Sequence, residues 1–223
     1  MQSKFTNKTI AITAIAGALF LFVGTYLHPM HADPNDALAA FTEYAEDHHW
    51  VASHFIQLLG AALMVISLVL LNSVLSEPAA RVFGQIGSIG AVAVLALTGA
   101  LQAVDGVALK SMVNAWASAA EPDKAVLFYS AFGVRQIEIG LASVSGLITG
   151  VTVFTIGFAL LLDSSFPRWS GVLGILAGIP TTVAGVIIGY TGFSELSMMV
   201  NMPASVLLLL WMIGLGVFSW RRS

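Results

Sequence analysis

The sequence contains no cysteine among its 223 residues. This absence excludes a disulfide scaffold, a thiol nucleophile, covalently attached c-type haem and any metal site built from thiolates alone. Charge is also scarce, at 9% of residues against about 25% in an ordinary soluble domain. Nine basic and twelve acidic side chains cannot cover a water-soluble fold of this length. A soluble globular enzyme, a disordered protein and a nucleic-acid binder with a basic face are therefore excluded.

Apolar residues make up 57% of the chain, and the mean hydropathy is +0.89. A helix needs about 20 mostly apolar residues to cross a bilayer, and backbone inside a bilayer must satisfy its own hydrogen bonds. The apolar runs are continuous rather than alternating, which favours helices over a barrel. The sequence therefore predicts an all-α polytopic membrane protein, a single domain over residues 1–223, whose six spans lie at about 9–27, 51–75, 83–105, 135–162, 170–190 and 203–220.

Basic residues near the span ends predict the orientation in the membrane. One side carries six of them, and the other side carries only three, namely Lys110, Lys124 and Arg135. The rule places both termini in the cytoplasm of a multi-pass protein of the cell (inner) membrane. Tyr26, Trp50 and Tyr190 are expected in the aromatic belt at the outer boundary.

Ten of the twelve acidic residues lie on the outer side, whereas the inner loops are short and carry only the other two, Glu77 and Asp163. Residues 34–48 predict a short amphipathic helix with Leu38, Phe41 and Ala45 on one face. Residues 106–118 have similar spacing and are expected to extend the third span. A helix starting at residues 121–124 is expected to run into the fourth span.

Polar side chains form three stripes at the outer ends of spans two, three and four. The stripes contain His54 and Gln57, then Gln102 and Asp105, then Arg135 and Glu138. Ionisable groups at membrane depth usually face the bundle interior and are paired. Two interpretations stay open: the six residues line an outward-facing ligand pocket, or they form an interhelical lock in which Arg135 bridges Asp105 and Glu138.

His28 and His54 are the candidate metal ligands. Imidazole suits zinc, copper, iron or nickel, and a carboxylate from Asp105 or Glu138 could complete the site. The same two histidines could instead be the axial ligands of one b-type haem. No defined metal motif covers their spacing, so the cofactor remains open between a metal ion and haem.

Several segments resemble a group of uncharacterised bacterial six-span integral membrane proteins. They are Leu101–Lys110, Trp116, Arg135, Glu138-Ile139-Gly140, Asp33-Pro34 and Trp50–His54. The resemblance implies that these polar residues are the signature of the group. It implies no activity, because none is assigned to the group.

Three functions remain for such a protein. The first is a membrane protein whose outward pocket binds a metal, haem or small amphiphilic ligand, with a redox role as one variant. The second is a non-catalytic accessory subunit of a larger membrane complex. The third is a small-molecule transporter, which is disfavoured because below their outer third the spans offer few polar residues other than Ser, Thr and Asn72. Whether the protein is an enzyme is open. The expected partners are the lipid bilayer and a second copy or a larger membrane complex, and no nucleic acid.

Overall fold

The computed structural model describes residues 2–223, with side chains from Lys4 onward. The described residues form eight α-helices, one π-helical segment and short connections. The bounds are α1 Gln2–Leu27, α2 Ala37–Glu46, α3 Trp50–Asn72, α4 Pro78–Gln102, the π-helical segment Ala103–Leu109, α5 Lys110–Ser118, α6 Asp123–Leu162, α7 Arg168–Thr191 and α8 Glu195–Arg221.

Among the described residues, six helices are long and apolar enough to cross a membrane, which confirms the predicted all-α fold class. Helix α1 packs against α3 and α8, α6 packs against α4 and α7, and α7 also contacts α8. The two termini meet at one end, where the Asn7 amide donates to the Arg222 carbonyl at 3.3 Å. We call this the proximal end, which comprises residues 4–8, 73–81, 163–168 and 221–222. The distal end comprises residues 28–49, 119–122 and 192–194 together with the adjoining helix ends, residues 50–57, 102–118, 123–138 and 195.

Two helices extend beyond the predicted spans. The third spanning helix continues through the π-helical segment to Ser118, and the fourth begins at Asp123. The predicted extension at 106–118 and the predicted helix start near residue 121 are both confirmed. Forty residues of α6 correspond to about 60 Å of helix, roughly twice the thickness of a bilayer hydrocarbon core. The distal parts of α4–α5 and α6 therefore project beyond the other spans.

The short helix α2 is present, as the sequence predicts, and part of its surface is buried against the protein. It starts at Ala37, where the Asp36 carboxylate accepts from the backbone N–H groups of the first turn. The buried side chains are Ala40, Phe41 and Tyr44, whereas Leu38 is 59% exposed. Phe41 and Ala45 of the predicted apolar face pack against the neighbouring helices, and Tyr44 packs beside them.

A second apolar cluster lies at the distal end, separate from the membrane core. It packs α2 onto the π-helical segment, α5 and α6 through Ala40, Phe41, Tyr44, Trp50, Leu109, Val113, Trp116 and Ala131. Trp50 is 0% exposed in this cluster. The expectation that Trp50 belongs to the lipid-facing aromatic belt was therefore wrong, since its ring is enclosed by α2 and the neighbouring helices.

The proximal loops contain a structural contact, because the Asp163 carboxylate forms hydrogen bonds that connect two of them. Its carboxylate accepts from the backbone N–H groups of Ser76 at 2.6 Å, Glu77 at 3.1 Å and Ser165 at 2.9 Å. Burial opposes ionisation of Asp163, but hydrogen bonds from Ser165, Glu77 and Ser76 outweigh it and lower its pKa to about 2. The prediction missed this structural contact.

Candidate functional site

His54 lies one turn into α3 and is 2% exposed. Its Nδ1 is 2.6 Å from the Trp50 carbonyl oxygen. A carbonyl only accepts, so Nδ1 carries a proton and donates it there. Nε2 then faces Asp105, whose Oδ2 is 2.9 Å away. His54 therefore points into the bundle interior and contacts a carboxylate, as the sequence predicted for this histidine.

His28 follows the end of α1 and approaches His54 from the neighbouring helix. Its Nδ1 donates to the Pro29 carbonyl at 2.8 Å, and its ring centroid is 5.0 Å from that of His54. Burial lowers the pKa of His28 from its usual value, with Asp105 partly opposing. The lowered pKa favours the neutral imidazole, whose remaining nitrogen carries a lone pair.

His28, His54 and Asp105 each offer one ligand atom, and these three atoms lie within 4.8 Å of one another. Asp105 Oδ1 is buried and has no hydrogen-bond partner among the described residues. Buried polar atoms without a partner usually find water or an ion. The predicted pair of histidines and one of the two predicted carboxylates thus meet at a single point, and the arrangement can hold a metal ion.

Arg135 and Glu138 form a separate buried ion pair along α6. Arg135 Nη1 lies 2.7 and 2.6 Å from the two Glu138 oxygens, and Nη2 donates to the Pro34 carbonyl at 3.2 Å. The guanidinium also faces the rings of Tyr44 and Phe193, at 5.5 and 4.9 Å from their centroids. Pairing of Arg135 with Glu138 is confirmed. A bridge to Asp105 is absent from the ion pairs of the described chain, because Asp105 pairs with His54 instead.

Gln57 and Gln102 complete the set predicted from the sequence. The Gln102 amide donates to Gln57 Oε1 at 3.1 Å. The six predicted residues therefore occupy three contacts: His54 with Asp105, Gln57 with Gln102, and Arg135 with Glu138. Whether these six residues bind a ligand together stays a prediction.

Two residues to which the sequence assigns no role hold the distal cap in place. This cap consists of α2 and its flanking loops, residues 28–49. Lys110 Nζ donates to the carbonyls of Tyr44, Ala45 and Asp47, the last two at 3.1 and 2.9 Å. This is a cation at the carbonyl end of α2, where the helix dipole favours positive charge. The Glu43 carboxylate accepts from two backbone N–H groups of the loop that follows His28, each at 3.0 Å. No local pattern marks either residue, since their partners are distant backbone groups.

Tyr44 joins this cap to the buried charges. Its ring packs at a tilt of 41° against the Trp50 ring, with a centroid separation of 4.2 Å, and lies beside the Arg135 guanidinium. Burial raises the pKa of Tyr44 to about 12, against an opposing effect of Arg135. The phenol is therefore neutral at physiological pH and does not compete with Glu138 for Arg135.

Residues 2–218 match the family described as Domain of unknown function (DUF4386). The chain belongs to the DUF4386 family. Comparison with curated proteins and with solved structures gave no match. The resemblance to uncharacterised polytopic membrane proteins is thus confirmed, and the family assigns no activity to the geometry described above.

Proposed function

We propose that this integral membrane protein binds one divalent transition-metal ion between His28, His54 and Asp105. The observation that carries the proposal is the convergence of three ligand atoms, within 4.8 Å of one another, from three separate segments of the chain. Two imidazoles and one carboxylate are a donor set suited to Zn²⁺, Fe²⁺ or Ni²⁺. Mg²⁺ and Ca²⁺ do not suit this set, because they prefer oxygen ligands.

The orientation of the imidazoles supports this assignment. A metal-bound histidine almost always donates its other ring N–H to a carbonyl or carboxylate, which fixes the tautomer and the direction of the ring. His54 and His28 both donate from Nδ1 to backbone carbonyls, at 2.6 and 2.8 Å. Three protein ligands also leave a coordination position open, which is the pattern of reactive rather than purely structural zinc sites.

A metal ion fits these residues better than haem. Axial ligation by His28 and His54 would require a porphyrin between the two rings. The Asp105 carboxylate already faces Nε2 of His54 at 2.9 Å. Trp50 also packs against both rings, at 4.7 and 4.8 Å between centroids. This crowding favours a small ion.

Charge at the distal end also favours a cation as the ligand. The distal residues include ten of the twelve acidic side chains but only three basic ones. Of these three, Lys110 and Arg135 are already bonded to carbonyls and to Glu138. An acidic surface around a recessed site raises the local concentration of cations. We place this end outside the cytoplasm, because the proximal end carries six basic residues.

The proposal is tested by metal titration of the purified protein in detergent after removal of metal with a chelator. We expect one Zn²⁺ ion to bind per chain. Competition and elemental analysis measure this stoichiometry. Co²⁺ is expected to give a visible ligand-field spectrum. His54→Ala and Asp105→Asn should each remove most of the binding.

His48→Ala is the matched control, because His48 is an exposed histidine in the same distal region. It should bind metal like the wild type. Binding that is non-stoichiometric, or that is lost equally in the control, would contradict the metal site. A metal-free protein that co-purifies with other membrane proteins would favour the accessory-subunit function.

A further inference from the structure

The third spanning helix changes its geometry at the level of the candidate metal site. Residues Ala103–Leu109 form a π-helical segment between α4 and α5. A π-helix is wider than an α-helix, is rare, and often occurs at functional sites. This segment carries Asp105 and Gly106, two residues of the third span that approach His54.

Gly106 touches the base of the His54 side chain. A Cβ atom at Gly106 would lie 2.6 Å from His54 Cβ and 2.9 Å from His54 Cγ, closer than real Cβ contacts allow. The imidazole cannot swing away freely, because its Nδ1 is bonded to the Trp50 carbonyl at 2.6 Å. A side chain at position 106 would therefore push the π-helical segment away from α3 and take the neighbouring Asp105 with it.

Trp50 holds both members of the His54–Asp105 contact. Its indole Nε1 donates to the backbone carbonyl of Asp105 at 2.9 Å. Its own carbonyl accepts from His54 Nδ1. Trp50, which is buried, thus forms hydrogen bonds to both the backbone of Asp105 and the ring of His54.

We propose that Gly106 and Trp50 are positioning residues that set the separation of the His54 and Asp105 ligand atoms, so that the π-helical segment builds the metal site. The inference rests on the proposed function. Its physical basis is that metal affinity depends on groups that orient the ligands, whose loss typically costs about 10–100-fold in affinity.

The decisive variant is Gly106→Ala, compared with Gly99→Ala as a matched control. Gly99 lies in α4, the part of the third spanning helix that precedes the π-helical segment, and a Cβ there would meet no atom within 4 Å. Gly106→Ala is expected to weaken Zn²⁺ binding by about 10–100-fold and to change the Co²⁺ visible spectrum. Gly99→Ala is expected to keep the affinity and spectrum of the wild type.

Trp50→Phe keeps an aromatic ring but removes the indole N–H. It should also weaken Zn²⁺ binding by about 10-fold or more and alter the Co²⁺ spectrum. This variant decides the question if Gly106→Ala cannot be purified in folded form. Unchanged affinity and spectrum in the folded variants would overturn the inference.

A measurement without metal separates this inference from the metal site itself. Nitrogen NMR of histidine-labelled, metal-free protein reports the hydrogen bond between the His54 ring and Asp105. Gly106→Ala should shift the His54 ring signals, and Gly99→Ala should not. If the wild type binds no metal but Gly106→Ala shifts those signals, the proposed function fails while the positioning role stands. If the signals do not shift, the positioning role fails whether or not metal binds.

Discussion

At the residue scale, the buried charges of the distal end are paired within the chain. Arg135 and Glu138 are 4% and 2% exposed and bond to each other three residues apart on one helix. Arg135 is additionally enclosed by the rings of Tyr44 and Phe193. Such a pair is costly to break because the remaining partner stays buried without compensation.

Arg135→Ala is expected to destabilise the protein by about 3–5 kcal/mol, because it leaves the Glu138 carboxylate buried and alone. Thermal unfolding in detergent measures the effect. The double variant Arg135→Met with Glu138→Leu should recover most of the loss, since apolar residues of similar volume can replace a buried pair at little cost. An unchanged midpoint for Arg135→Ala would mean that the guanidinium is solvated.

Asp163→Asn is expected to lower stability by about 2 kcal/mol, because the charged acceptor of several N–H groups is lost. The pKa of Asp163 is lowered in the folded protein to about 2, so its stabilisation is complete above the ordinary carboxyl pKa. It is lost as the pH falls through about 2. Unfolding followed from pH 7 down to pH 2.5 should therefore show the largest difference between wild type and variant at neutral pH.

Glu77→Gln is the control for that experiment. The Glu77 carboxylate accepts only from the Ser164 hydroxyl among the side-chain hydrogen bonds described, and that contact is exposed. Its removal should change stability by less than about 1 kcal/mol. Equal losses of stability in the two variants would show that the hydrogen bonds of Asp163 stabilise the protein no more than the exposed contact of Glu77 does.

At the scale of elements, close approach of glycine backbones joins α6 to α7. A Cβ at Gly150 would lie 2.3 Å from the backbone nitrogen of Thr182 and 2.6 Å from the carbonyl oxygen of Gly178. A Cβ at Gly185 would lie 2.4 Å from the backbone nitrogen of Leu147. Small residues allow helices to pack closely in membranes, where no hydrophobic force drives helix association.

Gly150→Ala is expected to destabilise the bundle by about 1–3 kcal/mol, because the two backbones must separate. Gly140→Ala on the same helix is the control, since a Cβ there meets no atom within 4 Å. It should be neutral or raise stability by up to about 1 kcal/mol through helix propensity. Thermal unfolding of both variants in detergent measures the contrast, and similar midpoints would contradict backbone contact between α6 and α7.

Helix α2 depends on Lys110 for its carbonyl end. Lys110→Met removes three charge-assisted hydrogen bonds to the last turn of α2 and the residues after it. We expect faster amide hydrogen exchange across residues 37–49, because the cap loses its attachment to the third span. Lys124→Met, which removes a cation 5.7 Å from the Trp116 ring, is the control and should leave that exchange unchanged.

At the scale of the whole molecule, six spanning helices place both termini and the Asp163 contacts at one end and the candidate metal site at the other. The distal cap buries its own apolar cluster above the membrane core. The described residues therefore form two separate apolar cores. The candidate site lies in contact with the distal core, through Trp50.

Both termini are expected in the cytoplasm, because the proximal end carries six of the nine basic residues. The chain has no cysteine, so single-cysteine variants at His48 and Ala79 report position without background. A membrane-impermeant thiol reagent applied to intact cells should label position 48 and spare position 79. The reverse result would invert the orientation and place the metal site in the cytoplasm.

The sequence by itself determined the six spans, because each needs only one continuous apolar run. It also placed Arg135 and Glu138 on one helix face and the polar residues at the distal end, since both follow from helical spacing within one segment, but it left open whether Arg135 pairs with Asp105, with Glu138 or with both. The tertiary structure alone decided that His54 meets Asp105 rather than Glu138, because the two residues are 51 positions apart and a π-helical turn sets their contact. It likewise assigned Lys110, Glu43 and Asp163 their roles, since each bonds to backbone groups that come near only after the helices pack.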